Sequence, residues 1–202
     1  MEKNQYPVIT VSREYCAGGR TYAKGLSEAL GLPWYDQDLI RKTAAESGYS
    51  EQSITEEGET MSSKGRLLDL IMNSAVIYTS SHDGIFRAQK QVILDLGKEP
   101  CIIVGRGANV ILREAGIRTY DIFLYADMPT RLKRAAELNQ NGEYDLQKFV
   151  ERIDHLRRTY YKNYMKKELG DYHDYDILLN SGIGSVEENV AHLASLIRQK
   201  YQ

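Results

Sequence analysis

Apolar residues in this chain gather in short, nearly unbroken runs: VITV at 8–11, LPWY at 32–35, CIIV at 101–104, YDIFLY at 120–125 and YDILL at 175–179. A strand with one wet face alternates apolar and polar positions, so continuous runs predict strands buried on both faces. A turn and then helical spacing follow each run. Strand alternating with helix predicts an α/β fold in three layers, a mostly parallel five-stranded sheet between helices. In an open sheet of this kind ligands gather beyond the carboxyl ends of the strands. The segments to inspect are therefore SREYCAGGR after the first run, GRGAN after 101–104 and ADMPTRLKR after 120–125.

Two stretches break the alternation. Residues 37–98 carry helical patterns at 37–47, 52–61, 67–80 and 85–96, punctuated by Gly48, Gly58, Gly65, Gly84 and Gly97. So much helix between two strands predicts a substrate-binding insertion, with plain helical cover of the sheet as the alternative. Residues 139–173 are strongly charged and rich in tyrosine, with Arg152, Arg157, Arg158, Lys162, Lys166 and Lys167 on a helical stretch. A basic helix is often only a solvated face. Near a phosphate site it has a second use as a lid, because guanidinium forks bind phosphoryl oxygens in pairs. Asp154 stands three residues before Arg157 and is expected to hold its fork in place.

The length of 202 residues suits a single domain over the whole chain. Its core is expected in 6–36, 99–138 and 174–202, with the insertion at about 37–98 and the lid at about 139–173. With 42% hydrophobic and 27% charged residues, disorder is not the default, and a net charge of −2 gives no general polyanion surface. Tyr160, Tyr161 and Tyr164 beside basic residues would suit stacking on single-stranded nucleic acid, but the overall acidity argues against that partner. No run approaches the roughly 20 apolar residues that span a bilayer, and the first residues lack a signal-peptide core. A cytoplasmic protein without a membrane partner is expected. Two cysteines, Cys16 and Cys101, are too few for a disulfide framework, and four scattered histidines have no zinc spacing. Cys16 reads as a small residue in a tight loop rather than a nucleophile.

The segment from Val8 to Gly31 carries the chemistry: strand, Gly18-Gly19, then an amphipathic helix closed by a glycine. A helix start has unpartnered N–H groups and the positive end of the macrodipole, so a glycine-lined entry favours phosphate oxygens. The alternative is a tight turn that only lets the helix pack closely. The phosphate-loop pattern G-x-x-x-x-G-K-S/T is incomplete: Glu14 stands at the first glycine, and Gly18-Gly19 is followed by Arg20 and Thr21. Arg20 supplies a cation, Thr21 a hydroxyl suited to Mg²⁺, and Arg106, between Gly105 and Gly107, is expected to face the crevice.

Five ordered blocks, ITVSREYCAGGR, LPWYDQDLI, EPCIIVGRGANVIL, DIFLYADMPTRLKRAAE and RRTYYKNYMKKELGDYHDYDILLNS, resemble the cytidylate-kinase-like family, a divergent branch of the nucleoside monophosphate kinases. The family pattern SRE-x-G-S-G-G-R/K is matched at Ser12, Arg13, Glu14, Gly18 and Gly19 and departs at Cys16 and Ala17. The resemblance implies a P-loop kinase fold whose insertion holds a nucleoside monophosphate and whose lid carries arginines. Its reaction moves the γ-phosphoryl group of ATP to CMP or dCMP with Mg²⁺. It assigns Gly18, Gly19, Arg20 and Thr21 to the donor phosphates, with Thr21 on the metal. It places Asp36 and Arg106 at the acceptor and Asp154 and Arg157 in the lid; the chemistry of phosphoryl transfer then makes Arg13, Asp36, Arg106, Asp154 and Arg157 the expected substrate-binding residues and Arg20, Arg106 and Arg157 the expected catalytic ones. Arg131 and Arg134 lie on the helix leading to the lid. Gly107 stands where the family's GRD segment has aspartate, and without a gap Gly19 fills the lysine column. Two other readings stay open here: a nucleotide-binding regulatory protein without turnover, and a kinase of another small acceptor. Trp34 and Tyr35 beside Asp36 would suit base stacking but read more simply as core.

Overall fold

The computed structural model describes residues 6–36, 80–138 and 145–201. At its centre is β1 (Val8–Arg13), buried along its first five residues and paired on both sides. On one side Val11 is in register with Val104 of β3 (Ile102–Val104), and on the other with Ile122 of β4 (Thr119–Tyr125). β2 (Trp34–Tyr35) extends the sheet beyond β3 and β5 (Ile177–Asn180) beyond β4, giving the order β2-β3-β1-β4-β5. Every pairing is parallel, so the sheet is fully rather than mostly parallel. The sequence run at 175–179 enters the sheet only at Ile177, because Tyr175 is buried against Phe123 instead of pairing along the strand.

Both faces are covered, which is why the strand runs are continuous. Against one face lie α1 (Gly19–Leu30) and a C-terminal helix (Val186–Tyr201). Tyr22, Ala23 and Leu26 of α1 pack with Leu193 and Ile197 against Ile9, Val11, Ile122 and Leu124. Against the other lie α2 (Ser80–Leu96) and α3 (Ala108–Glu114), whose Val92, Ile93 and Ile111 pack with Tyr161 and Met165 on Val8 and Ile103. Each fully buried aliphatic side chain here contributes about 1.5–3 kcal/mol. α4 (Met128–Glu137) opens on an Asp127 side chain that accepts from the Thr130 N–H, with Pro129 in the first turn. α5 (Leu146–Tyr160) is capped by Asp145 in the same way, through the N–H groups of Gln147 and Lys148. Phe149, Val150 and Ile153 of α5 bury themselves with Ala135 and Tyr15 in a third apolar cluster. The C-terminal helix is α6.

The insertion expected at 37–98 lies outside the described residues as far as 79, which takes in the helices expected at 37–47 and 52–61 and all but the last residue of that at 67–80; the helix at 85–96 falls within α2. Of the expected lid, 139–144 lie outside the described residues. The rest is α5, a π-helical turn at Tyr161–Met165 and a short 3₁₀ turn at Tyr172–Asp174. Among the described residues no helix is long and apolar enough to cross a membrane.

Candidate active site

Between the end of β1 and the start of α1 the chain folds into a tight loop. The Ala17 N–H reaches the Glu14 carbonyl at 3.3 Å, and the Tyr22 N–H reaches that of Gly18 at 3.0 Å. Cys16 (φ 60°) and Gly18 (φ 90°) are both left-handed, and Gly18 caps the helix. No acidic side chain stands in the first turn of α1, so its positive end meets no carboxylate from within. Gly19 is the first helical residue and lies directly after the cap, where a phosphate loop carries its lysine.

Three guanidinium groups from distant segments line one pocket beside this loop: Arg13 from the end of β1, Arg106 from the turn after β3 and Arg157 from α5. Gly105, Gly107, Tyr160 and Ser12 are also in its wall, with Tyr161 and Leu169. Arg106 holds φ 61° between Gly105 at 75° and Gly107 at 69°, three consecutive left-handed residues. For a residue with a Cβ that conformation costs about 1–2 kcal/mol, a strain characteristic of sites where a side chain must be aimed. Arg157 donates to the Arg13 carbonyl at 3.3 Å and lies over the Tyr15 ring, its Cζ 5.3 Å from the centroid.

The charges in this pocket are not balanced. Burial, and then the neighbouring Arg157, push the Arg13 guanidinium down to about 9; Arg106 and Arg20 add to that, and Asp36 opposes it. Burial also lowers Arg157. Among the described residues no salt bridge joins Arg13, Arg106 or Arg157 to a carboxylate. Half-buried cations that repel one another favour an anion with several oxygens, and phosphoryl groups supply them in the geometry a guanidinium fork matches.

The remaining expected residues are placed as follows. Arg20 does not line the pocket; on the rim, with its side chain 53% exposed, it ion-pairs with Asp36. Thr21 is exposed in the first turn of α1. The expectation that Asp154 holds the Arg157 fork is corrected: Asp154 accepts the Tyr15 N–H at 2.7 Å and pairs with Arg131. Arg131 is buried, lies 3.6 Å from Glu14 and reaches the Tyr15 carbonyl at 3.4 Å. Arg134 approaches the loop from its other side, donating to the Cys16 carbonyl at 3.5 Å and to Ser181 Oγ at 2.8 Å. Asp154 thus fastens the loop to α5 and α4. Its helical spacing to Arg157 suggested a local pair, whereas its partners come from far along the chain.

Gly107, at the aspartate of the GRD pattern, has a local cause: a Cβ there would stand 2.3 Å from Met165 Sδ. Trp34 packs against one core cluster and Tyr35 against the other, in keeping with the core reading. Tyr161 is buried, donating to Asn109, while Tyr160 and Tyr164 pack against Phe86, the latter ring stacked on it at 4.5 Å. Burial pushes the Cys16 thiol up to about 11, which keeps it protonated at neutral pH and a poor nucleophile.

The parallel sheet, the glycine-lined helix start and the strand-end arginines define the class: the fold is that of the P-loop kinases, phosphotransferases that work on a phosphate chain. The chain belongs to the cytidylate kinase-like family, whose sequence pattern matches residues 8–183. It is 27% identical over 177 residues to a cytidylate kinase of Methanothrix thermoacetophila, covering 87% of this chain and 88% of that protein. Among solved structures it is similar to an uncharacterized protein from Eubacterium ventriosum ATCC 27560, with a TM-score of 0.67 and 22% identity over 95% of this chain and 98% of that one. A shikimate kinase from Acinetobacter baumannii, solved with shikimate, matches with a TM-score of 0.56 and 15% identity, over 98% and 96% of the two chains. At these identities the two structures bear on the fold alone.

Proposed function

We propose that the protein transfers the γ-phosphoryl group of ATP to a nucleoside monophosphate, with CMP or dCMP as the acceptor. The observation that carries this reading is the convergence of Arg13, Arg106 and Arg157 on one pocket beside the start of α1, none of them in a salt bridge with a carboxylate among the described residues; Asp36 and Asp154 act on Arg13 and Arg157 only from a distance. Phosphoryl transfer asks little covalent participation of a protein and much positioning of charge, which is what this arrangement supplies. An acceptor phosphate oxygen, already ionised at neutral pH, forms the new P–O bond as the bond from the γ-phosphorus to the departing oxygen breaks. The products are ADP and a nucleoside diphosphate, and no general base is required.

In this reading the amides at Gly18 and Gly19 receive donor phosphates, while Arg106 and Arg157 hold the acceptor phosphate and the charge on the moving group. Arg20, tied to Asp36, steers phosphate at the rim. The loop that presents these amides is closely packed by the protein's own side chains, since a Cβ at Gly19 would stand 3.0 Å from Arg13 Cγ and one at Gly18 3.1 Å from the Tyr22 ring, so a larger residue at either would disturb it. Mg²⁺ would enter with the triphosphate, where the Thr21 hydroxyl would be the protein's ligand and the metal would neutralise phosphate charge. Asp154 acts as a positioning residue through Tyr15. The name of the curated relative supports the cytidine acceptor.

The test is ATP turnover coupled to ADP detection, with each nucleoside monophosphate in turn. CMP or dCMP is expected to accelerate ADP formation well above ATP alone; no acceleration by any monophosphate would overturn the reading. Gly19 at the lysine position favours a second reading, a nucleotide-binding protein without turnover. Calorimetric binding of ATP and CMP without product selects it.

A further inference from the structure

A phosphate loop ordinarily places a lysine on the first helical residue, from where its ammonium reaches the β- and γ-phosphoryl groups. Here that residue is Gly19, and the space a side chain would start from is taken by another residue. A Cβ on Gly19 would lie 3.0 Å from Arg13 Cγ, 3.1 Å from its Cδ and 3.2 Å from its Nε. The same side chain runs on to Gly105, where a Cβ would meet Arg13 Nη1 at 1.8 Å. Arg13 therefore spans the floor of the site, its stem against the first residue of α1 and its fork at the end of β3, in the pocket shared with Arg106 and Arg157.

We infer that Arg13 is the cation that stands in for the missing loop lysine, entering from the strand side and bonding the β- and γ-phosphoryl oxygens of the donor. The inference rests on the phosphoryl-transfer reading above and moves Arg13 from the substrate-binding set, where the sequence reading puts it, to the donor. Both glycines border the path of Arg13: its stem crowds the place of a side chain on Gly19, and its fork lies against Gly105, which is left-handed besides. As the bond to the γ-phosphorus breaks, negative charge gathers on the departing β-phosphoryl oxygens, and a fork fixed at the helix start meets it without reorganising. The electrostatics agree: Arg13 carries the repulsion of Arg157, Arg106 and Arg20, and a phosphate chain relieves it.

The test is a relocation of charge, comparing the unaltered protein with Arg13→Ala, Gly19→Lys and the double variant Arg13→Ala/Gly19→Lys. Turnover of ATP with CMP is measured, along with calorimetric binding of ATP, inorganic tripolyphosphate and CMP. Arg13→Ala is expected to lower kcat by about 100-fold or more. It should weaken tripolyphosphate binding and leave CMP binding largely intact. Gly19→Lys alone should be impaired, because its side chain and the Arg13 stem compete for one space. The double variant should recover about tenfold over Arg13→Ala, since the stem is gone and the lysine is back on the helix. If the double variant does not fold, addition of guanidinium ion to Arg13→Ala is the second readout, with restored turnover or tripolyphosphate affinity expected. Unchanged kcat in Arg13→Ala, a loss confined to CMP, or failure of both rescues in folded protein would overturn the inference while leaving the kinase reading intact. If the unaltered protein turns over no monophosphate, the kinase reading fails and tripolyphosphate binding alone decides: affinity lost in Arg13→Ala and regained on rescue upholds the inference, equal affinity in both sinks it.

Discussion

The two ends of the sheet treat buried charge in opposite ways. Toward the amino ends of the strands, Asp121 is fully buried on β4 and accepts from Thr10 at 2.5 Å and Thr119 at 2.8 Å, with Arg113 Nε also at 2.5 Å. Its backbone N–H goes to Asp176, which Arg113 and Lys200 also approach, at 3.6 and 3.2 Å. Every carboxylate there has a cation and hydrogen bonds of the chain's own. At the carboxyl ends, Arg13, Arg106 and Arg157 stand together with no salt bridge to a carboxylate among the described residues, Asp36 and Asp154 acting on Arg13 and Arg157 only from a distance. Removing charge from water is tolerable only when it is paired, so the first end is complete in the folded chain and the second is completed by an anion from outside.

This contrast is open to direct attack. The largest effect is expected at the clamp, where Asp154→Ala leaves the buried Arg131 with only Glu14 at 3.6 Å for a counter-charge and the Tyr15 N–H without its acceptor; urea unfolding should show a loss of about 3–5 kcal/mol. Next comes the incomplete end: Arg106→Ala should lower kcat/KM for CMP phosphorylation by about 100–1,000-fold in steady-state assays. The same variant should lose part of the thermal stabilisation that inorganic phosphate gives the parent, whereas Arg113→Ala should lose stability but keep the phosphate response. A smaller effect is expected from pH. Burial raises Asp121, against the pull of Thr10, Thr119 and Arg113, so the folded state binds a proton there more tightly than the unfolded chain does. Stability from this group is present below the unfolded value near 4 and is lost as pH rises through the higher folded value. Relative to Asp121→Asn, the parent should therefore lose stability as pH rises above about 4 in paired urea titrations. Smallest is Cys16→Gly, which relieves a left-handed backbone at φ 60° and should raise stability by up to about 1 kcal/mol in thermal unfolding.

The strands at 101–104 and 120–125 were legible because complete burial leaves an unbroken apolar run, and the glycine turn because a helix start after a strand has few sequence solutions. Arg106 and Arg157 were legible for a related reason: loops at strand ends and a basic helix have few places to go in a parallel sheet. The clamp was not legible. Asp154 sits three positions from an arginine, a spacing that suggests a local pair, yet its partners are Tyr15 and Arg131. The path of Arg13 was equally hidden, because the emptiness at Gly19 and the side chain that fills it belong to different segments. Sequence spacing reports neighbours along a helix or strand; it carries no trace of which distant side chain occupies a glycine's missing volume.

The Met165 thioether fills the volume beside Gly107, which ties the two positions sterically. A Cβ at 107 would stand 2.3 Å from the sulfur on a backbone at φ 69°, so a side chain there asks both for a left-handed backbone and for the flexible end of Met165 to move. The π-helical turn that carries Met165 also holds the buried Tyr161, which donates to Asn109. A residue larger than glycine at 107 should therefore be accepted most readily beside a shorter side chain at 165.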